Sequence, residues 1–271
     1  MSQLLTAEES EKAKAGHVAE MVPEEELARV RAAVEQMVTE DDTPVDNWIS
    51  EKQMRLLTAP LYASWSGPPS EGGERRKFIV AANVGIFYSI YQPAIVPDLF
   101  LSLDVELPKE MREKQHRSYF LWEFGKPPEV VLEVVSNREG NEEGGKMRTY
   151  AQIGILYYAI HDPLGYLGDE RLRLYELSHK RYVRRDNLYL PEVGLGLKLW
   201  EGVYESLSAS YWLRWYDEQG ELIPTGEEQA IRAEQEAARA AREAARAEQE
   251  AARAALFAAR LRELGIDPDQ L

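Results

Sequence analysis

Three side chains in this sequence have the type and spacing for chemistry on an anionic substrate. Asp98 follows Pro97 at the start of the apolar run LFLSL. Glu133 lies inside the run VVLEVVS, and Lys146 follows at the start of a helical pattern. Val131 and Val135 share the face of Glu133 on a strand, and Leu132 and Val134 take the other face. Both faces are apolar, as in a central strand covered on each side. A carboxylate there is costly unless it is paired or bound to a cation. Two readings are open at this point. In one, Asp98 and Glu133 on neighbouring strands hold a hard cation, Mg²⁺ or Mn²⁺, and Lys146 orients or deprotonates a water. In the other, Glu133 and Lys146 form a buried ion pair without chemistry.

Other chemistries find little support. His17, His116, His161 and His179 are scattered, with neither HExxH nor any paired-His spacing, which argues against zinc. The chain has no cysteine, so disulfides, thiolate metal sites and Cys nucleophiles are excluded. No GxSxG elbow is present. Gly140 to Lys146 fits GxxxxGK, but Met147 stands where a phosphate loop needs Ser or Thr, and Glu142 and Glu143 would repel a triphosphate.

The elements that must position these residues lie in a long middle segment. The chain has 271 residues and a formal charge of −15. Residues 1–46 hold 12 acidic and 4 basic side chains. We read 1–44 as an acidic, partly helical extension. Pro23 and Glu24-Glu25-Glu26 open its helix, Leu27, Val30, Val34 and Val38 recur at helical spacing, and 40–44 break it. Residues 45–225 form the globular domain and contain all six Trp. Strand patterns run over 77–81, 84–90, 98–103, 130–135, 155–160, 172–177 and 195–199, and helical patterns near 46–58, 145–153 and 205–216. The expectation is a mixed α/β domain with a central sheet.

Residues 226–271 differ. AEQEAARAA occurs at 233–241 and again at 247–255, a repeat of two heptads. This is a long Ala/Glu/Arg helix, with pairs such as Arg232/Glu236, Arg239/Glu243 and Arg246/Glu250. Its alanine seam buries little area, so a solvated single helix and a self-associating coiled coil are both open. Leu256, Phe257, Leu261 and Leu264 form an apolar patch where a helical protein partner or the protein's own core would dock.

The segments PAIVPDLFLSL, PPEVVLEVVS and GGKMRTYAQIGILYYAIHDP together resemble the Uma-two family of restriction endonucleases, in the PD-(D/E)xK nuclease superfamily. DDTPVDN, LYLPEVGLGLKLWEG and WLRWYDEQGELIPTGEEQ extend the likeness over about 42–230. The resemblance implies a restriction-endonuclease-like mixed central sheet flanked by helices, and a Mg²⁺-dependent endonuclease with DNA as substrate. It implies Asp98 and Glu133 as metal ligands, with the main-chain carbonyl after Glu133 adding a donor. The motif's lysine lies two residues after the second acid, where this chain has Val135. The resemblance therefore implies a migrated lysine, Lys146, as the third catalytic residue. An upstream helix acid serves some members; Glu51 is the nearest candidate and reads as a surface residue.

Lys109, Arg112, Lys114, His116 and Arg117 cluster where phosphates could be tracked, but Glu106, Glu110 and Glu113 interrupt them. Trp122 suits either base stacking or a half-buried place under a loop. The acidic N-terminus MSQLLTAEESEK lacks the order of a secretory signal, and Phe78 to Phe87 is too short to span a bilayer. The expectation is a cytoplasmic protein with no membrane partner. A homodimer would suit double-strand cleavage. The competing class is a catalytically inactive nuclease-fold scaffold acting through its C-terminal helix.

Overall fold

The computed structural model describes residues 24–37, 47–136 and 142–263. In chain order the elements are α1 (Glu24–Gln36), α2 (Trp48–Ser64), β1 (Phe78–Ala82), β2 (Ile86–Phe87), β3 (Leu99–Leu103), β4 (Tyr119–Phe120), α3 (Leu121–Phe124) and β5 (Val130–Val134). A π turn (Glu142–Lys146) leads into α4 (Met147–Ile153). Then come β6 (Tyr157–His161), β7 (Leu172–Ser178), β8 (Arg181–Arg185), β9 (Tyr189–Leu190), β10 (Leu195–Tyr204), β11 (Leu207–Tyr216) and α5 (Gly226–Glu263). The expected helix break at 40–44, His17, Gly140, Asn141 and Leu264 lie outside the described residues.

Six strands form a mixed sheet in the order β1-β3-β5-β6-β7-β8. Only β5 and β6 run parallel within it, joined by a crossover through α4. The apolar runs read from the sequence become its fully buried centre: β3, β5 and β6 have every residue buried. One face carries Val130, Leu132, Tyr157, Ala159 and Leu174 against Leu57 and Leu61 of α2 and against the smaller sheet β11-β10-β9. The other face carries Phe100, Val131, Tyr158 and Ile160 under α4. The fold is thus a mixed central sheet flanked by helices, with a long C-terminal helix.

Local chemistry sets the boundaries. Asn47 caps α2 by accepting from the Ser50 N–H at 2.9 Å. That helix runs on through Pro60 to Ser64, past the end expected near 58, because Pro60 and Leu61 continue its buried face. Gln53, fully buried, clamps α2 to β11 by exchanging two hydrogen bonds with the Leu213 backbone, at 2.8 and 2.9 Å. Residues 205–216 correct the sequence reading. They form no helix but β11, paired antiparallel with β10. Glu205 and Ser206 both take positive φ and make the tight turn between the strands, and the aromatic run YWLRWY then alternates as a strand. β8 was not foreseen, and β2 is shorter than expected.

α5 begins with a capping box, in which Glu228 N–H donates to Thr225 Oγ1 and Thr225 N–H donates to Glu228 Oε2. The buried Arg214 guanidinium also donates twice to Glu228, at 2.9 and 2.6 Å. Beyond this anchor, 229–257 are exposed throughout, and Arg239–Glu243 and Arg246–Glu250 pair along the helix. No described helix is long and apolar enough to cross a membrane.

His161, at the end of β6, is fully buried. Burial pushes its pKa down to about 4, against a partial lift from the Arg171 carbonyl and Asp162. The ring is therefore neutral in the fold, whereas an unfolded His takes up a proton near pH 6.5. Stability is complete above that value and declines as pH falls toward 4. Between pH 7.5 and 5 this ring is expected to cost about 2 kcal/mol, read by urea unfolding as the extra loss of wild type relative to His161→Gln, since the raised carboxyl of Glu133 shifts both proteins alike. Equal losses in both proteins would show that this ring does not titrate on unfolding.

Candidate functional site

The site follows from strand register. β3 and β5 pair antiparallel with Leu99 opposite Leu132 and Phe100 opposite Val131, so one further step sets Asp98 opposite Glu133. Asp98 Oδ2 accepts the Val134 N–H at 2.6 Å, which fixes that carboxylate against β5. Across the parallel pair Glu133 faces Ile160, and Ile160 faces Arg173 on β7. Asp98, Glu133, Ile160 and Arg173 therefore form one row across four strands, on the sheet face covered by α4.

Glu133 is 1% exposed. Lys146 Nζ donates to its Oε2 at 2.8 Å, and the Tyr150 hydroxyl donates to its Oε1 at 2.6 Å. Lys146 and Tyr150 are four residues apart, one turn of the π–α segment, so a single helical face serves both oxygens. Burial pushes the Glu133 carboxyl up to about 8, and the charge of Asp98 adds to this. Lys146 and the Tyr150 hydrogen bond oppose the shift. Burial and the neighbouring carboxylate raise the Tyr150 phenol, so it stays a donor. The Lys146 side chain is 35% exposed and reaches the carboxylate from the solvent side.

The π turn is held from the sheet. Arg173, 8% exposed, sets its Nε 3.4 Å from Glu143 Oε1 and 3.4 Å from Glu170 Oε2, and donates to the Leu167 carbonyl at 3.0 Å. Glu143 is three residues ahead of Lys146, so Arg173 ties the lysine-bearing turn to β7.

Asp98, Glu133 and Lys146 thus come together as expected. Tyr150 and Arg173 were missed as site residues. The signal for Tyr150 was its position four residues after Lys146. For Arg173 it was a charge inside the strand pattern LRLYEL, the same anomaly that drew attention to Glu133. Glu51, and two polar residues near the site in sequence, Asp104 and Gln152, lie elsewhere. Glu51 pairs with Arg55 at 2.8 Å, beside Glu205 of the β10–β11 turn. Asp104, at the opposite end of β3 from Asp98, pairs with Arg76 at 2.6 Å. Gln152 is exposed. Trp122 is half-buried against Phe120, the structural of its two roles.

The 109–117 cluster borders a cavity of about 610 Å³ with α1, and two of its cations, Lys114 and Arg117, are engaged. Lys114 donates to the Glu35 carbonyl at 2.8 Å, and Arg117 donates to the Arg112 carbonyl at 2.9 Å. Glu35 and Glu113 share the lining.

A carboxylate pair and a lysine thus meet on the central mixed sheet. The chain belongs to the Uma2 family: the family model, described as "Putative restriction endonuclease", matches residues 35–200. That span takes in the whole six-stranded sheet and the row just described, and leaves α5 outside. A crystal structure of a "putative nuclease belonging to DUF820" from Anabaena variabilis ATCC 29413 is similar at 12% identity and a TM-score of 0.35, covering 56% of this chain and 73% of that one. No curated protein matches this chain.

Tyr150→Phe removes one hydrogen bond to a buried acid and little volume. It is expected to lower the unfolding free energy by about 1–3 kcal/mol in urea. A loss below roughly 0.5 kcal/mol would mean that the hydroxyl contributes nothing net to holding Glu133.

Proposed function

We propose that this protein is a metal-dependent endonuclease that hydrolyses phosphodiester bonds of DNA. The observation that carries the reading is the meeting of Asp98 and Glu133 in one register row, with Lys146 on the same carboxylate. Family membership supports DNA as the substrate class.

The donor set suits a hard cation. Mg²⁺ binds through one or two carboxylates and retains several waters, so two acids suffice. Among the described residues no group of three or more His, Asp or Glu forms a fuller cage, which makes a zinc-type site a poor match. Asp98 and Glu133 would hold Mg²⁺ or Mn²⁺, with the carbonyl after Glu133 as a further donor. When bound, the ion would polarise the scissile phosphate and offset charge on the leaving oxygen.

The remaining work falls to the chain's own groups. Lys146 is part-exposed and donates from Nζ to Glu133, and in this reading it would meet the attacking water and the charge developing on the phosphate. Tyr150 donates to Glu133 Oε1 and restrains the orientation of that carboxylate. Val131, Val135 and Tyr158 keep water from the inner side of the row. Arg173, through Glu143, holds the turn that delivers Lys146.

One observation favours a second reading, an inactive scaffold acting through α5. That helix projects exposed, with Leu256 and Phe257 at 73% and 57% exposure.

Plasmid cleavage with Mg²⁺ or Mn²⁺ separates the two. Wild type is expected to nick or linearise DNA, and Glu133→Ala and Lys146→Ala to fall by about a hundredfold or more. No cleavage of double- or single-stranded DNA with either metal would favour the scaffold. Independently of turnover, Mg²⁺ at about 100 times its dissociation constant should stabilise wild type by ~2.7 kcal/mol. Asp98→Ala should abolish that gain in a thermal melt.

A further inference from the structure

The strongest unassigned feature is a groove where α4 meets the β7–β8 hairpin. Arg148, Lys180 and Arg181 surround a floor of Met147, Ala151 and Tyr182, with a volume of about 400 Å³. All three charged lining residues are basic, in a chain whose formal charge is −15. None of the three makes an ion pair or side-chain hydrogen bond among the described residues. The 109–117 cluster differs, with Lys114 and Arg117 engaged by main-chain carbonyls and acids among its cations.

The groove is built rather than incidental. His179 and Lys180 both take positive φ, uncommon for residues other than glycine, and their tight turn sets Lys180 and Arg181 beside α4. Tyr182 anchors the strand to the end of that helix by donating to the Ile155 carbonyl at 2.9 Å, and packs on Tyr158. Charge on an edge strand such as β8 also guards against edge pairing. Arg148, however, belongs to the helix and not to the edge. α4 directs Tyr150 to Glu133 from its inner side and presents Arg148 and Gln152 outward. Arg148 is two residues from Lys146, about 3 Å along the helix axis but turned to the opposite side, so the groove flanks the site across the helix.

We propose that this groove tracks the phosphate backbone of the nucleic-acid substrate, with Arg148, Lys180 and Arg181 as phosphate contacts beside the helix that carries the lysine. The proposal rests on the nuclease reading above. Contacts of this kind position the substrate and carry no base specificity.

The test measures anisotropy of a labelled DNA duplex with the full-length protein in EDTA, across a salt series, beside Mg²⁺-dependent cleavage. Arg148→Gln/Lys180→Gln/Arg181→Gln should weaken binding at least roughly tenfold at low salt and flatten the slope of log K against log salt by about 2–3. Its cleavage should show a raised KM with little change in kcat. Arg112→Gln/Lys114→Gln should bind as wild type does. Arg148→Gln alone, with one surface charge removed, should give a smaller loss in the same direction. If wild type cleaves DNA while the triple variant binds and cleaves unchanged, the groove is overturned and the nuclease reading stands. An equal loss in the Arg112/Lys114 variant also overturns the groove. Wild type that neither binds nor cleaves overturns both. Wild-type binding to phosphatidylserine vesicles but not to DNA, lost in the triple variant, would assign the groove to a membrane surface instead.

Discussion

The structure turns on one buried carboxylate. Glu133 sits in the middle of the central strand, with apolar residues before and after it on both faces. An isolated charge there would be far costlier than any single apolar contact is worth. The fold answers with two donors from one helical face, Lys146 and Tyr150, and this requirement fixes where α4 must lie. The crossover between the parallel strands β5 and β6 therefore both covers the sheet and delivers a lysine to an acid.

Around that constraint the molecule divides its labour between faces. The face away from Glu133 does conventional packing, with α2 and the smaller sheet closing an apolar core. The face of Glu133 holds the polar row. Asp98 is pinned by a main-chain N–H of β5, and Arg173 restrains the turn before Lys146. Paired acids at such a site oppose each other's ionisation. The rise of the Glu133 pKa comes mainly from burial, with the Asp98 charge adding to it, and a cation between the acids would relieve it. A buried ion pair is weak evidence for stability by itself. The stability of the sheet alone therefore does not account for the row, and a preorganised site is the reading proposed above.

Much of this was legible in the sequence, for identifiable reasons. Glu133 stood out because alternation placed Val131 and Val135 on its face, and the structure buries all of them. The same alternation was present around Arg173, between Leu172 and Leu174, and went unread; Leu167 and Glu170 are close to it in sequence, and only Glu143 is distant. Residues 205–216 misled because an aromatic-rich run of that length fits a helix as well as a strand. Only the pairing with β10 and the turn at Glu205-Ser206 resolve it. The basic cluster at 109–117 looked promising as a string of charges. Lys114, His116 and Arg117 turn out to be engaged by main-chain carbonyls, a property that composition does not record.

The sequence alone determined the identity of the central strands, the acid that needed partners, the lysine able to supply one, and the long helix at the end. Those are local properties, set by periodicity, propensity and the cost of burying charge. Tertiary structure decided which residues meet. Register placed Asp98 opposite Glu133 and put Arg173 two strands farther along. Helix geometry added Tyr150 to the same carboxylate. The packing of β8 against α4 gathered Arg148, Lys180 and Arg181 from separate parts of the chain. Contacts between distant segments depend on pairing and packing, which no single stretch of residues encodes by itself.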